Sequence, residues 1–367
     1  MKIASWCRAN AMPLIAVLAA AVAACFVPPD AAYAGYFDWK TLSCLFCVLA
    51  VVCALRGAGL FPLLAQRLVR AFHTARSAVT ALVVVTLIGS MLLTNDTALL
   101  TFLPLSWFVL EGTGQTKHTA LTFILQNCAA NLGGMLTPFG NPQNLYLFNH
   151  YTIPNGEFLT IMLPPFLLST ALILACCLLI PRQVLAVPQR ELTLDKPRAI
   201  AYGLLFCLAV GMVLRAVPYP VGLAFIAAAL AVMDPRALKS VDWGLLVTFA
   251  AFFTFSGNMA RIEPVRTLFR QLLAHGTMPV AALTSQVISN VPAAILLSQF
   301  TDDYPALLVG VNIGGAGTLV ASLASLITFR EYTKHVKGQT GRFLALFSAV
   351  SFGFLAVLLA AMTFLTQ

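Results

Sequence analysis

Residues 131–144 read Asn131-Leu-Gly-Gly-Met-Leu-Thr-Pro-Phe-Gly-Asn-Pro-Gln-Asn144, and residues 312–318 read Asn312-Ile-Gly-Gly-Ala-Gly-Thr318. Asn, Gly, Gly and Thr recur at identical spacing, each time in the middle of a long apolar segment: Thr119 to Tyr151, then Ala306 to Phe329. Pro138 and Pro142 remove helix donors, and the glycines allow tight backbone. Non-helical backbone at membrane depth survives only where protein or a watery cavity satisfies its N–H and C=O groups. Each segment is therefore read as a transmembrane helix broken at its centre. The break is duplicated.

Working outward, the 367 residues are 60% apolar and only 10% charged, against roughly 25% in a soluble domain. Apolar stretches of about 17–25 residues recur throughout, each long enough to cross ~30 Å of hydrocarbon. About nine full spans are expected: 11–27, 40–55, the broken 119–151, 158–180, 199–217, 221–233, 241–257, the broken 306–329 and 343–364. Between them, 59–72 and 261–273 carry arginines among leucines and read as amphipathic interfacial helices. The first 34 residues have two readings. Lys2, Arg8, the run Pro13 to Val27 and Ala32-Tyr33-Ala34 resemble a cleavable signal peptide; a first transmembrane helix is preferred, because the duplication gives it a partner.

Two further apolar pairs, 77–93 with 98–110 and 278–289 with 291–300, surround the polar knots Thr94-Asn95-Asp96-Thr97 and Ser289-Asn290-Val291-Pro292. Their arms read as too short to span comfortably, so the knots are read as tips of re-entrant hairpins. Asp38-Trp39 also matches Asp242-Trp243 at the entry to a span. Four landmarks thus occur twice in one order, as in a duplicated chain. Five crossings separate Asp38 from Asp242, and an odd number inverts the second copy, the plan of many secondary transporters. The expected organisation is a first repeat over 1–180, a cytoplasmic linker and connecting span over 181–217, and a second, inverted repeat over 218–367. The fold class is an all-α polytopic membrane protein with inverted repeats, two re-entrant hairpins and two broken transmembrane helices.

Charge tests the orientation. With the N-terminus inside, 17 of the 22 Lys and Arg face the cytoplasm and 5 face outward, as the positive-inside bias requires. The expected location is a bacterial cytoplasmic membrane, N-terminus in and C-terminus out. The same bias explains the net charge of +9 without a nucleic-acid partner. Nine cysteines lie mostly within apolar segments; Cys44 and Cys47 lack the second pair that a zinc site needs.

Asp96 is the acidic residue placed well within an apolar region, and an intramembrane carboxylate is a functional candidate by default. It would carry a proton, ligate sodium, pair with an arginine, or simply cap the helix beginning at Thr97. Asn131, Thr137, Asn141 and Asn144 supply neutral donors and acceptors at the first break, and Asn312, Thr318, Ser322 and Ser325 at the second. Helix N-termini facing the breaks would add partial positive charge toward an anion, while freed carbonyls would suit a sodium ion. No hydrolase triad, phosphate-binding Gly-x-x-x-x-Gly-Lys-Ser/Thr loop or His-Glu-x-x-His site occurs, so an enzyme or an ATP-driven pump is disfavoured.

The Thr-Asn-Asp-Thr knot followed by Pro104, the Asn-x-Gly-Gly-x-x-Thr-Pro-x-Gly-Asn-Pro-x-Asn run and the Ser-Asn-Val-Pro knot resemble the ion transporter superfamily. That group holds arsenite permeases, citrate transporters and divalent-anion/sodium symporters. The likeness runs from about Asp38 to the C-terminus. It implies substrate and cation sites lined by Asn95, Thr97, Asn131, Thr137, Asn144, Ser289, Asn290, Asn312 and Thr318, with elevator-type movement of that core. The symporters carry Ser-Asn-Thr at both tips, whereas this chain has Thr-Asn-Asp and Ser-Asn-Val; Asp96 places it nearer the arsenite and citrate branches. The expected function is secondary transport of a small anion, carboxylate or inorganic oxyanion, coupled to sodium or protons. The alternatives are an arsenite/antimonite efflux permease and, from another class, an anion channel. Expected partners are the small anion and the bilayer, with homodimer formation left open, and no cofactor beyond a sodium ion.

Overall fold

The computed structural model describes residues 11–59, 63, 74–184 and 195–365, and every regular element among them is a helix. Most of the expected interfacial helix over 59–72 and of the linker over 181–197 lies outside the described residues, as do residues 1–10. The chain is a multi-pass membrane protein: six described helices are long and apolar enough to cross a bilayer. They are α2 (Trp39–Gly57), α3 (Ala75–Leu92), α7 (Asn155–Cys177), α8 (Lys196–Val213), α10 (Trp243–Arg261) and α16 (Thr340–Leu365). Two more apolar helices, α1 (Ala11–Phe26) and α9 (Tyr219–Met233), have 16 and 15 residues. Asp38 and Asp242 sit at equivalent N-caps. Their carboxylates accept from the N–H groups of Thr41 and Leu245, both at 2.9 Å, satisfying donors that a helix start leaves open.

The long segments break where glycine and proline predict. In the first, α5 (Thr119–Gly133) gives way to a 3₁₀ turn over Gly134–Leu136, and α6 (Pro142–His150) restarts with proline in its opening turn, where a missing N–H does no harm. In the second, α14 (Tyr304–Ile313) stops before Gly314, Gly317 takes φ +121°, and α15 (Leu323–His335) starts at an N-cap, Ser322, that accepts from the N–H of Ala324 at 3.1 Å. α5 runs through the centre of the molecule and is buried continuously from Thr122 to Gly133.

The two knots join α3 to α4 (Asn95–Gly112) and α12 (Thr277–Ile288) to α13 (Asn290–Leu297). Arm length departs from expectation in the first pair. α3 and α4 have 18 residues each, about 27 Å at 1.5 Å per residue, longer than the apolar arms 77–93 and 98–110. The apolar arms fall short of the helices because Arg76, Asn95, Asp96, Thr97 and Glu111 are helical without being apolar. α12 and α13 have 12 and 8 residues, as short as expected. α11 (Glu263–Ala274) bears Arg266 and Arg270, matching the expected amphipathic segment.

α1 belongs to the packed structure. Ala16, Ala20 and Ala23 are buried, and α1 packs chiefly on α10. Beyond it the Arg261 guanidinium donates to both Asp30 oxygens (3.1 and 2.6 Å) and to the Tyr36 hydroxyl, which donates to Asn258 Oδ1. Asn258 Nδ2 in turn donates to Tyr33 Oη at 2.7 Å.

Both breaks press on the adjacent hairpin. A Cβ at Gly133 would lie 2.8 Å from Leu87 O and Ser90 Oγ, and one at Gly314 would lie 2.8 Å from Ser285 Oγ. Gly133→Ala and Gly314→Ala are each expected to lower stability by ~1–3 kcal/mol through overpacking. Thermal unfolding of the purified proteins checks this; unchanged midpoints would show that the contacts yield.

Candidate functional site

The two tips are fastened by matching hydrogen bonds. Asn95 N–H donates to Gly140 O at 3.1 Å, and Asn290 N–H donates to Ala321 O at 2.9 Å. Asn95 Oδ1 accepts from Asp96 N–H and Asn290 Oδ1 from Val291 N–H, both at 2.9 Å. The Thr137 hydroxyl donates to Met91 O at 2.8 Å and the Thr318 hydroxyl to Gln286 O at 2.9 Å. Counted from Asn95 and Asn290, and from Asn131 and Asn312, every partner sits at the duplicated position. The recurrent sequence thus has a recurrent geometry, with each hairpin tip held against the break in its own half.

A chain of buried amides then joins the halves. Asn131 Oδ1 accepts from Asn95 Nδ2 (3.2 Å) and from the Ser322 hydroxyl (2.7 Å). Asn312 Oδ1 accepts from Asn141 Nδ2 and Gln143 Nε2, both at 3.1 Å. Asn141 and Ser322 are themselves duplicates, so each half's asparagine is held by the other half's cap residue. The break carbonyls are also occupied. Asn144 Nδ2 donates to Met135 O (3.1 Å) and Thr137 O (3.2 Å), while Gln286 Nε2 donates to Gly314 O (2.8 Å) and Ala316 O (3.0 Å).

Between the tips lies a cavity of about 510 Å³. Asn95, Asp96, Gln143, Ser289, Asn290 and Ser322 line it together with Asp242 and Arg330, and most of the remaining lining is apolar. Four helices, α4, α6, α13 and α15, begin at this cavity, so their positive dipole ends lie against it, while the opening N–H groups of α4 and α13 are already taken by Gly140, Ala321 and the Asn95 and Asn290 side chains. Two of the lining residues each carry a buried side-chain oxygen with no hydrogen-bond partner among the described residues: Asp96 Oδ1 and Gln143 Oε1. An arrangement of amides, hydroxyls and helix starts suits a small oxygen-rich anion; the orphan carboxylate oxygen suits a proton or cation moving with it.

Of the sequence-derived site residues, Asn95, Asp96, Ser289, Asn290 and Ser322 reach the cavity wall. Asn131, Asn141, Asn144 and Asn312 form the amide chain behind it. Thr97 bonds Thr94, while Thr137 and Thr318 fasten the hairpins. Gln143, Asp242 and Arg330 line the cavity without being site candidates from sequence, where Asp242 stands only as a span-entry landmark. Gln143 falls at the unmatched x of the Asn-Pro-x-Asn run, which was its available signal.

Comparison with known proteins gives a consistent picture. Residues 3–305 match the model of a family described as citrate transporter. An uncharacterised transporter of Methanocaldococcus jannaschii is 32% identical over 88% of this chain and 89% of its own length. An inner membrane protein of Escherichia coli is 31% identical over 80% of each. A silicon efflux transporter of Oryza sativa shares 35% identity over 38% of this chain and 28% of its own length.

Proposed function

The chain belongs to the citrate transporter family, and from that premise we propose that it is a proton-coupled secondary transporter of a small anion in a bacterial cytoplasmic membrane. The observation that carries this reading is Asp96 on the wall of the inter-tip cavity, one carboxylate oxygen buried without a partner, among four helix starts. The anion is held by those positive helix ends with the side chains of Asn95, Asn290, Ser289 and Ser322, and Arg330 draws it in. Asp96 carries the coupling proton. Sodium is the less favoured partner, because the carbonyls at both breaks already accept from Asn144 and Gln286. Two copies of opposite sense, with the tips as re-entrant hairpins and elevator-type movement of the core, account for the matched fastenings.

The test is a stabilisation screen of purified protein with citrate, other carboxylates and inorganic oxyanions, each with and without sodium, followed by uptake into proteoliposomes. Anion-specific stabilisation and accumulation under a pH gradient support the reading; conductance without coupling would make the protein a channel. A second reading, efflux of a weak oxyacid such as arsenite or silicic acid, draws on the amides and hydroxyls in the cavity lining and on the silicon efflux relative. Silicic acid and arsenite therefore belong in the same screen.

Orientation gives a separate expected result. With the N-terminus inside, cysteines placed near Glu157 and Asp302 should react with an impermeant reagent from outside, and those near Lys334 should not. Outside labelling at Lys334 would reverse the topology.

A further inference from the structure

The amide chain behind the cavity has a direction, and backbone carbonyls set it. At the first break Met135 O and Thr137 O need donors, and Asn144 presents its Nδ2 to both. Its Oδ1 is then turned toward Asn312 and accepts from Asn312 Nδ2 at 2.6 Å. The same Nδ2 donates to Leu308 O at 2.8 Å, which fixes Asn312 independently. Asn312 Oδ1 is therefore an acceptor, and it takes Gln143 Nε2 at 3.1 Å. Turning the Gln143 amide over would set its oxygen against the Asn312 oxygen, two acceptors with no proton between them. Gln143 is consequently left with Oε1 as its free end, on a side chain 1% exposed that lines the cavity. That oxygen has no partner among the described residues. An acceptor buried without a donor is unfavourable, and here the fold enforces it through five linked groups.

A bare oxyanion has only acceptors and would repel this oxygen. A ligand that brings its own O–H would satisfy it, while the helix starts take the ligand's charged oxygens. We infer that Gln143 makes the site selective for anions and oxyacids that carry a donor hydroxyl, with Gln143 Oε1 accepting from it. This rests on the small-anion reading and adds the feature that separates one small anion from another. Under it malate is preferred to succinate and citrate to tricarballylate, pairs that differ in one hydroxyl. A site built to hydrogen-bond a hydroxyl discriminates strongly against the analogue that lacks it, because the protein's acceptor is then left buried and unpaired.

The experiment measures ligand-induced thermal stabilisation, then competition for uptake, with both acid pairs and with arsenite, silicic acid and sulfate. In the unaltered protein the hydroxylated member of any pair that binds should be at least about tenfold tighter. Gln143→Leu should bring that ratio close to one by weakening the hydroxylated member alone. Gln143→Glu, which when protonated can donate to Asn312 and still present an oxygen to the cavity, should keep the preference. Equal affinities within a pair in the unaltered protein overturn the inference while leaving anion transport intact; so does preference for sulfate over every hydroxylated ligand. Should Gln143→Leu not fold, the ratio in the unaltered protein decides. If no compound binds at all, the small-anion reading fails and this inference fails with it.

Discussion

Asp96→Asn is expected to abolish accumulation driven by a pH gradient while leaving exchange of internal for external substrate in place. The amide is uncharged and close in shape to the protonated acid, so the cavity keeps one of its two working states. What it loses is the ability to release a proton on one face and regain it on the other. One pH unit stores about 1.4 kcal/mol per proton, equivalent to tenfold accumulation for each proton coupled. In proteoliposomes with a one-unit gradient, the steady ratio of internal to external substrate should therefore fall from about tenfold toward one, with counterflow still measurable.

The same variant separates the two coupling ions. A sodium-ligating Asp96 predicts weakened sodium dependence with the pH response largely kept. Unchanged uptake under both gradients would leave Asp96 with the local role that its position in the first turn of α4 already permits, since acidic groups are favourable there. Asp96→Ala adds a control for packing, because it removes both the proton and the oxygen.

Much of this architecture is legible in the chain because it depends on groups that announce themselves. Gly133, Gly134 and Pro142 interrupt helices by their own covalent structure, and α5 and α6 part where they stand. The duplicated asparagines are visible because the same backbone bonds are needed twice: each tip N–H must find a carbonyl, at Gly140 or at Ala321. Roles that depend on who faces whom are less visible. Thr137 and Thr318 look like ligands from composition, yet their hydroxyls close hairpins onto Met91 and Gln286. Gln143 looks like a spacer and becomes significant only through the direction of an amide chain that crosses between halves. The first hairpin looked short because charged and polar residues at the ends of its arms still belong to 18-residue helices. Its tip is located by the Asn95–Gly140 bond, which sets it beside the break whatever the length of its arms.

Asn95→Ala and Asn290→Ala are each expected to abolish transport at substrate concentrations near the affinity of the unaltered protein, in protein that still folds. The two side chains do related but unequal work. Asn95 holds its own tip through Asp96 N–H and ties it to the second half through Asn131, whose oxygen is shared with Ser322. Asn290 holds its tip through Val291 N–H and stands on the cavity wall beside Ser289. Each truncation leaves at least one buried group without its partner, a loss of ~1–3 kcal/mol, or about 5- to 150-fold in affinity where the tip must close on substrate. Asn95→Ala carries the added consequence of freeing the residue next to Asp96, so its coupling ratio should fall along with its affinity. Asn290→Ala has no acid beside it and should lower affinity with coupling per transported molecule unchanged. Purified variants are first compared by size-exclusion profile and thermal midpoint, because loss of fold and loss of transport must be told apart. Normal transport by either folded variant would remove the paired tips from the site, and equal loss of coupling in both would remove the special place given to Asp96.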